Sequence, residues 1–162
     1  MDNHTDAMTV ELTPSECAVA QMLASMRTMV SRAAGITNLK QGGQSQHITE
    51  LEGMAAELAF AKHFNICPDM SIKPVGGGSD GVLKGRTIDV KVTSYPDGRL
   101  LAHPNKKKDP SDVFVLLTGR MPKYRIAGYA LAEDLIHPNN LTDLGHGPVY
   151  AMNQSNLKQF KK

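Results

Sequence analysis

The stretch from residue 79 to residue 93, SDGVLKGRTIDVKVT, decides the fold. Its last six residues alternate strictly between apolar and polar side chains. Successive side chains of a strand point to opposite faces of the sheet, so this alternation predicts a strand with one buried and one polar face. The pair Lys84-Gly85 is a turn signal and predicts a hairpin around it. A symmetric turn then places Asp80 directly opposite Asp89 on the polar face.

Two carboxylates that face each other on a sheet repel, and such pairs are destabilising. We therefore expect a positive charge between Asp80 and Asp89. A hard divalent cation, Mg²⁺ or Mn²⁺, fits carboxylate oxygens and also binds substrate phosphates. Lys91 follows on the same predicted face as Asp89, so the strand carries a carboxylate and an ammonium side by side.

A helix is predicted before the hairpin, starting with a capping box of Thr13 and Glu16 and stopping near Gly35. Residues 1–12 have no periodicity, so we expect them to form a flexible tail. The apolar residues of this helix recur at helical spacing and predict one buried stripe, which consists of Val19, Met22, Leu23, Met26 and Val30.

A second helix is predicted from a capping box of Thr49 and Glu52 to about Phe64. Its apolar face consists of Leu51, Met54, Ala55, Leu58 and Ala61. Glu57 lies in the middle of this helix among apolar and small residues, a setting that a solvated glutamate seldom has. Glu57 is therefore a candidate site residue, with a structural glutamate at the edge of the apolar face as the alternative.

The rest of the chain has strand patterns. The continuous apolar run 113–118 is typical of a central strand buried on both faces, and further strands are predicted at 124–131 and 148–152. The predicted fold class is therefore α/β, with a mixed β-sheet flanked by helices and with N-terminal helices preceding the sheet. The length of 162 residues predicts a single domain over residues 13–162.

At this point the chain resembles the PD-(D/E)XK nuclease superfamily, and most closely its small phage and bacterial members. The resemblance rests on Gly53-x-x-x-Glu57 in a helix, then Ser79-Asp80-Gly81, then Asp89-Val90-Lys91. It covers roughly residues 48–135 as an ordered set of motifs. It implies a restriction-endonuclease-like core and the hydrolysis of DNA phosphodiester bonds with Mg²⁺ or Mn²⁺.

The resemblance also implies a role for each matching residue. Asp80, Asp89 and the backbone carbonyl of Val90 would hold the metal, with Glu57 as a further ligand directly or through water. Lys91 would orient the attacking water or stabilise charge on the phosphate. The sequence departs from the family pattern in having serine, not proline, before Asp80.

A literal Pro-Asp pair does occur at Pro68-Asp69. We prefer Asp80 as the site residue, because the hairpin brings it beside Asp89. Asp69 is expected to cap a loop between a helix and a strand.

The formal net charge is only +2, but it is unevenly placed. Residues 1–72 have a net charge of −4, whereas residues 73–125 have 11 basic and five acidic side chains, a net charge of +6. This basic segment surrounds the candidate site, so DNA is the expected partner. The residues predicted to contact nucleic acid are Arg99, Lys106, Lys107, Lys108, Lys123 and Arg125.

Other classes of protein fit the sequence less well. Cys17 and Cys67 stand alone, which predicts neither a disulfide framework nor a zinc site. The chain shows no secretion signal and no membrane span, so we expect a cytoplasmic protein of a bacterium or a phage-infected cell.

Two alternatives stay open beside the nuclease hypothesis. One is a Holliday-junction resolvase, an endonuclease selective for branched DNA, for which the methionine-rich first helix is a possible homodimer interface. The other is a non-catalytic module on the same fold that binds nucleic acid or protein.

Overall fold

The computed structural model describes residues 8–35, 45–74, 78–107 and 110–161. Within these ranges the protein is an α/β structure with three α-helices and eight strands. The helices are α1 (Pro14–Ala33), α2 (Gln46–Phe64) and α3 (Ala132–Leu135). The strands are β1 (Thr9–Glu11), β2 (Gly81–Leu83), β3 (Arg86–Thr93), β4 (Leu100–Ala102), β5 (Val113–Arg120), β6 (Lys123–Leu131), β7 (Leu141–Asp143) and β8 (Pro148–Met152).

The main sheet is mixed, as predicted, and has five strands in the order β1-β6-β5-β3-β2. Strands β3 and β5 are parallel, and the other neighbours are antiparallel. Strand β5 lies at the centre, and its residues 113–118 are all buried, which confirms the prediction from the apolar run. The connection from β3 to β5 passes through β4, which joins a smaller sheet of order β4-β8-β7.

The two faces of the main sheet pack against different layers. Ile88 and Val90 of β3 belong to the apolar core formed with α1 and α2. Phe114 and Leu116 of β5 belong to a second core, formed with the smaller sheet and α3. The sequence predicted helices as the flanking elements, but the smaller sheet covers much of one face. Since side chains alternate along a strand, Asp89 shares a face with Phe114, away from α1 and α2.

The start of the chain corrects one prediction. Residues 8–12 are not a loose tail, because Thr9–Glu11 form β1 and pair with β6 at the edge of the main sheet. Val10 and Leu12 are buried there. A three-residue strand is too short to show a periodicity, and its partner lies more than 110 residues away in the sequence. The prediction for residues 1–7 lies outside the described residues.

Helix α1 begins and ends as predicted but buries a different face. Thr13 and Glu16 form the capping box, and Gly35 follows the helix in a left-handed conformation. Of the predicted stripe, Met22 and Met26 are exposed. Small side chains on α1 let this helix lie close to α2. The buried residues of α1 are Ala20, Leu23, Ala24, Thr28 and Ser31. No helix in the described ranges is long and apolar enough to cross a membrane.

Helix α2 begins four residues earlier than predicted, because Ser45 and not Thr49 caps it. Glu52, assigned to a capping box from the sequence, has another role. Its Oε2 accepts hydrogen bonds from the Tyr124 hydroxyl at 2.5 Å and from the Met121 amide at 3.1 Å. Tyr124 is buried, and burial together with this hydrogen bond raises the pKa of its hydroxyl. Glu52 thus fastens α2 to the turn between β5 and β6.

The hydrogen bonds of Glu52, which join α2 to the sheet, lead to a prediction about stability. Tyr124→Phe removes one hydrogen bond to the half-buried carboxylate of Glu52 and keeps the ring. We expect it to lower the free energy of unfolding by about 1–3 kcal/mol, measured by urea denaturation. Tyr95→Phe removes an exposed hydroxyl and serves as the matched control, with an expected change below about 0.5 kcal/mol. Equal stability of the two variants would contradict the assigned role of Glu52.

Candidate active site

The hairpin that was predicted to build the site is present with the predicted register. Gly81 pairs with Ile88 and Leu83 pairs with Arg86 across a two-residue turn at Lys84-Gly85. Both turn residues have positive φ, as a tight hairpin of this kind requires. The hairpin register is therefore confirmed over residues 81–83.

Asp80 itself leaves the ladder, and this corrects the predicted direct opposition to Asp89. Its amide donates to the carbonyl of Ile88 at 2.8 Å, and its Oδ2 accepts from the amide of Val90 at 2.7 Å. Gly81 is the first residue of β2 and pairs with Ile88, so the ladder between β2 and β3 does not reach Val90. A carboxylate bound to that amide gains a hydrogen bond, whereas one directly opposite Asp89 would be repelled.

The edge of β3 beside Asp80 also presents a backbone carbonyl. The amide and carbonyl of one strand residue point to the same side, so the carbonyl of Val90 faces the edge that Asp80 occupies. The sequence proposed this carbonyl as a metal ligand, and its direction is compatible with that role. Two oxygen donors, one from a side chain and one from the main chain, thus lie at the open edge of β3.

Glu57 reaches the same edge from α2. Its side chain is only 14% exposed, and its pairing with Arg27 is compatible with a functional and with a structural glutamate. Its carboxyl group shares a hydrogen bond with that of Asp80. Burial raises the pKa of Glu57 to about 8, the negative charge of Asp80 adds to the effect, and Arg27 opposes it. The helix glutamate and the hairpin aspartate are therefore direct neighbours.

Arg27 of α1 completes this cluster and was missed by the sequence analysis. Its Nη1 lies 3.2 Å from Glu57 Oε2, its Nε donates to the carbonyl of Ser71 at 3.1 Å, and its Nη2 donates to the carbonyl of Asp69. The guanidinium therefore ties α1, α2 and the segment that leads to the hairpin. A signal existed, since Arg27 is the one charged residue between Cys17 and Val30 in an otherwise mainly apolar helix.

Asp89 and Lys91 form a second pair on the β3 face that points away from α1 and α2. Lys91 Nζ lies 2.5 Å from Asp89 Oδ1. The Asp89 side chain is only 4% exposed, whereas that of Lys91 is about one-third exposed. The ammonium therefore neutralises a buried carboxylate and still reaches solvent.

The predicted site residues are thus arranged as two pairs around one strand. Glu57 and Asp80 meet at the edge of β3, and Asp89 and Lys91 meet on its polar face. Within the described ranges, no three His, Cys, Asp or Glu side chains are grouped so that they could hold a metal ion. The assignment of Asp89 as a third metal ligand stays a prediction.

The alternative aspartate, Asp69, has a structural role as expected. Its carboxylate accepts from the Ser71 amide at 3.0 Å and hydroxyl at 2.6 Å, and it lies 2.9 Å from Lys73 Nζ. The hydrogen bonds from Ser71, with Lys73 nearby, hold the pKa of Asp69 well below its ordinary value. Asp69 thus orders the loop after α2.

The basic residues predicted to contact nucleic acid have different surroundings in the structure. Arg99 is exposed, Lys123 is paired with Glu11 at 3.4 Å, and Arg125 donates to Pro96 and Gln154. The backbone of Lys106 and Lys107 forms a 3-10 turn, while Lys108 lies outside the described residues. Their contact with DNA stays a prediction.

Comparisons with known proteins find no match: no family model, curated protein or solved structure is similar to this chain.

Proposed function

We propose that this protein is a divalent-metal-dependent nuclease that hydrolyses phosphodiester bonds in DNA, with a restriction-endonuclease-like core and a PD-(D/E)XK type of site. The observation that carries the proposal is the meeting of Glu57 and Asp80 at the edge of β3. These residues are 23 positions apart and were selected from the sequence by the hairpin register, the setting of Glu57 in its helix and the match to the family motif. A chance match would not be expected to bring them into hydrogen-bond contact.

The donor set at this edge fits Mg²⁺. This ion is commonly bound through one or two carboxylates, keeps several waters, and takes its remaining ligands from substrate phosphates. Asp80, Glu57 and the carbonyl of Val90 would hold it. A divalent cation would stabilise two neighbouring carboxylates by balancing their negative charges.

When bound, the metal would lower the pKa of its water and neutralise charge on the phosphate. The residues of the chain would position the metal ligands and stabilise charge on the substrate. Asp80 is fixed by the Val90 amide, and Glu57 is fixed by Arg27, so both carboxylates are held in place before substrate binds. Lys91 is held by Asp89 with its ammonium partly exposed, where it can donate to a phosphate oxygen or to the attacking water.

The proposal is tested by incubating the purified protein with plasmid and linear DNA in Mg²⁺ or Mn²⁺. We expect cleavage that excess EDTA abolishes and that Asp89→Ala and Lys91→Ala each reduce by about 100-fold or more. Arg32→Ala, which removes an exposed basic side chain outside the two pairs and outside the predicted nucleic-acid contacts, is the control for a nonspecific loss of positive charge. Cleavage that survives EDTA or both substitutions would contradict the proposed site.

A further inference from the structure

The chain makes a tight turn directly after β3. Thr93 Oγ1 accepts from the amide of Tyr95 at 3.3 Å, and the amide of Gly98 donates to the carbonyl of Tyr95 at 3.1 Å. A Cβ at Gly98 would lie 2.4 Å from Cγ2 and 2.8 Å from Oγ1 of Thr93. Only glycine therefore fits at this position without displacing Thr93.

This turn is fastened to the body of the protein by two side chains. Gln154 Nε2 donates to the carbonyls of Pro96 at 2.9 Å and of Gly98 at 2.8 Å. Arg125 Nη2 donates to the carbonyl of Pro96 at 3.2 Å and to Gln154 Oε1 at 2.8 Å. Three of these hydrogen bonds hold the carbonyls of Pro96 and Gly98, and the fourth joins the two side chains to each other, so the backbone of the turn is anchored.

The turn lies on the same face of the sheet as Asp89 and Lys91. Thr93 follows Lys91 by two residues, so its side chain points to the same side. Thr93 is in register with Thr118 of β5 and, through it, with Arg125 of β6. Thr93 lies about 13 Å from Asp89 along the strand, at about 3.3 Å per residue.

The turn carries Tyr95, whose side chain is exposed to solvent. Tyr95 is 70% exposed, although the backbone that carries it is rigid. A large aromatic side chain on a rigid backbone loses little conformational entropy on binding. Within this segment Asp97 and Arg99 are also exposed, so the ring lies in a part of the surface with one acidic and one basic side chain. Exposed aromatic rings on which bases stack are a common feature of proteins that bind single-stranded nucleic acid.

Resting on the proposed nuclease function, we propose that Tyr95 stacks on an unpaired base close to the bond that is cut. The substrate class is then DNA with a single-stranded or branched region at the cleavage site. In an intact duplex the bases are stacked on one another and present only their edges in the grooves. A ring face such as that of Tyr95 needs a base that is already unstacked.

Binding and cleavage are measured separately on three labelled DNAs of matched sequence: single-stranded, branched and fully duplex. Binding uses fluorescence polarisation with Ca²⁺ in place of Mg²⁺, and cleavage uses Mg²⁺. We expect Tyr95→Ala to weaken binding to single-stranded and branched DNA by about tenfold, with little change on duplex. Tyr95→Phe keeps the ring and should bind like the wild type. Met29→Ala, which removes an equally exposed side chain from α1, is the matched control.

A further variant tests the rigid presentation of the ring. Gly98→Ala keeps Tyr95 but displaces the turn against Thr93, so it should weaken binding to single-stranded DNA while the melting temperature shows that the protein is folded. The inference about Tyr95 is overturned if Tyr95→Ala binds and cleaves every substrate as the wild type does. Binding that depends on Tyr95 without any cleavage in Mg²⁺ would instead overturn the nuclease proposal alone. A wild type that neither binds nor cleaves any of the three DNAs overturns both.

Discussion

Asp80→Asn is expected to reduce the rate of DNA cleavage by about 10²- to 10³-fold, the size of effect seen when one charge-stabilising group is removed from an active site. The asparagine oxygen can still accept from the amide of Val90, so the hairpin keeps its hydrogen bond and its shape. What is lost is the negative charge beside Glu57. The loss should therefore appear in the cleavage rate in Mg²⁺ and not in the melting temperature.

Asp69, which follows Pro68 in the literal Pro-Asp pair, offers a matched control. Asp69→Asn makes the same chemical change at a carboxylate that orders a loop through Ser71 and Lys73. Cleavage by this variant should stay within about twofold of the wild type, because the asparagine oxygen can still accept from the amide and hydroxyl of Ser71. If Asp69→Asn loses activity and Asp80→Asn keeps it, the literal Pro68-Asp69 motif is the functional one and the present assignment is wrong.

The features that the sequence predicted well are those whose cause is local. The capping box of Thr13 and Glu16 involves residues three apart. The turn at Lys84-Gly85 needs only two residues with positive φ, and it sets the register of the whole hairpin. The apolar run of β5 predicts a central strand, because only such a strand is buried on both faces.

The features that the sequence did not predict depend on contacts between distant residues. Strand β1 exists because β6 offers it an edge, and nothing in the three residues themselves indicates a strand. The buried face of α1 was misjudged because methionine is apolar, whereas close packing against α2 favoured small residues such as Ala20 and Ala24.

The candidate site also combines features that the sequence predicted correctly with one that depends on contacts outside the local sequence. The hairpin register and the setting of Glu57 in its helix selected Asp80 and Glu57, and the structure places the two carboxyl groups close enough to interact. The opposition of Asp80 to Asp89 was extrapolated from the hairpin register and was wrong. An extrapolated register takes no account of the Val90 amide, which donates to the carboxylate of Asp80.

Arg27→Met is expected to lower the free energy of unfolding at pH 7 by about 3 kcal/mol, because removing one partner of a largely buried, hydrogen-bonded ion pair costs about 3–5 kcal/mol. The side chain of Arg27 is 15% exposed and binds Glu57 and the carbonyls of Asp69 and Ser71. Methionine preserves most of the apolar volume but leaves two backbone carbonyls without this donor. Arg27→Lys keeps the charge but cannot reach three acceptors, so an intermediate loss is expected.

Arg32→Met is the matched control, because it makes the same change at an exposed arginine near the end of the same helix. Its expected cost is at most about 1 kcal/mol, from the loss of a favourable charge at the helix C-terminus. A double-mutant cycle of Arg27→Met with Glu57→Gln then isolates the contact between the two side chains, and its coupling energy should exceed about 0.5 kcal/mol. If Arg27→Met is as stable as Arg32→Met, the guanidinium does not tie α1 to the site. Glu57 would then be held by α2 and Asp80 alone.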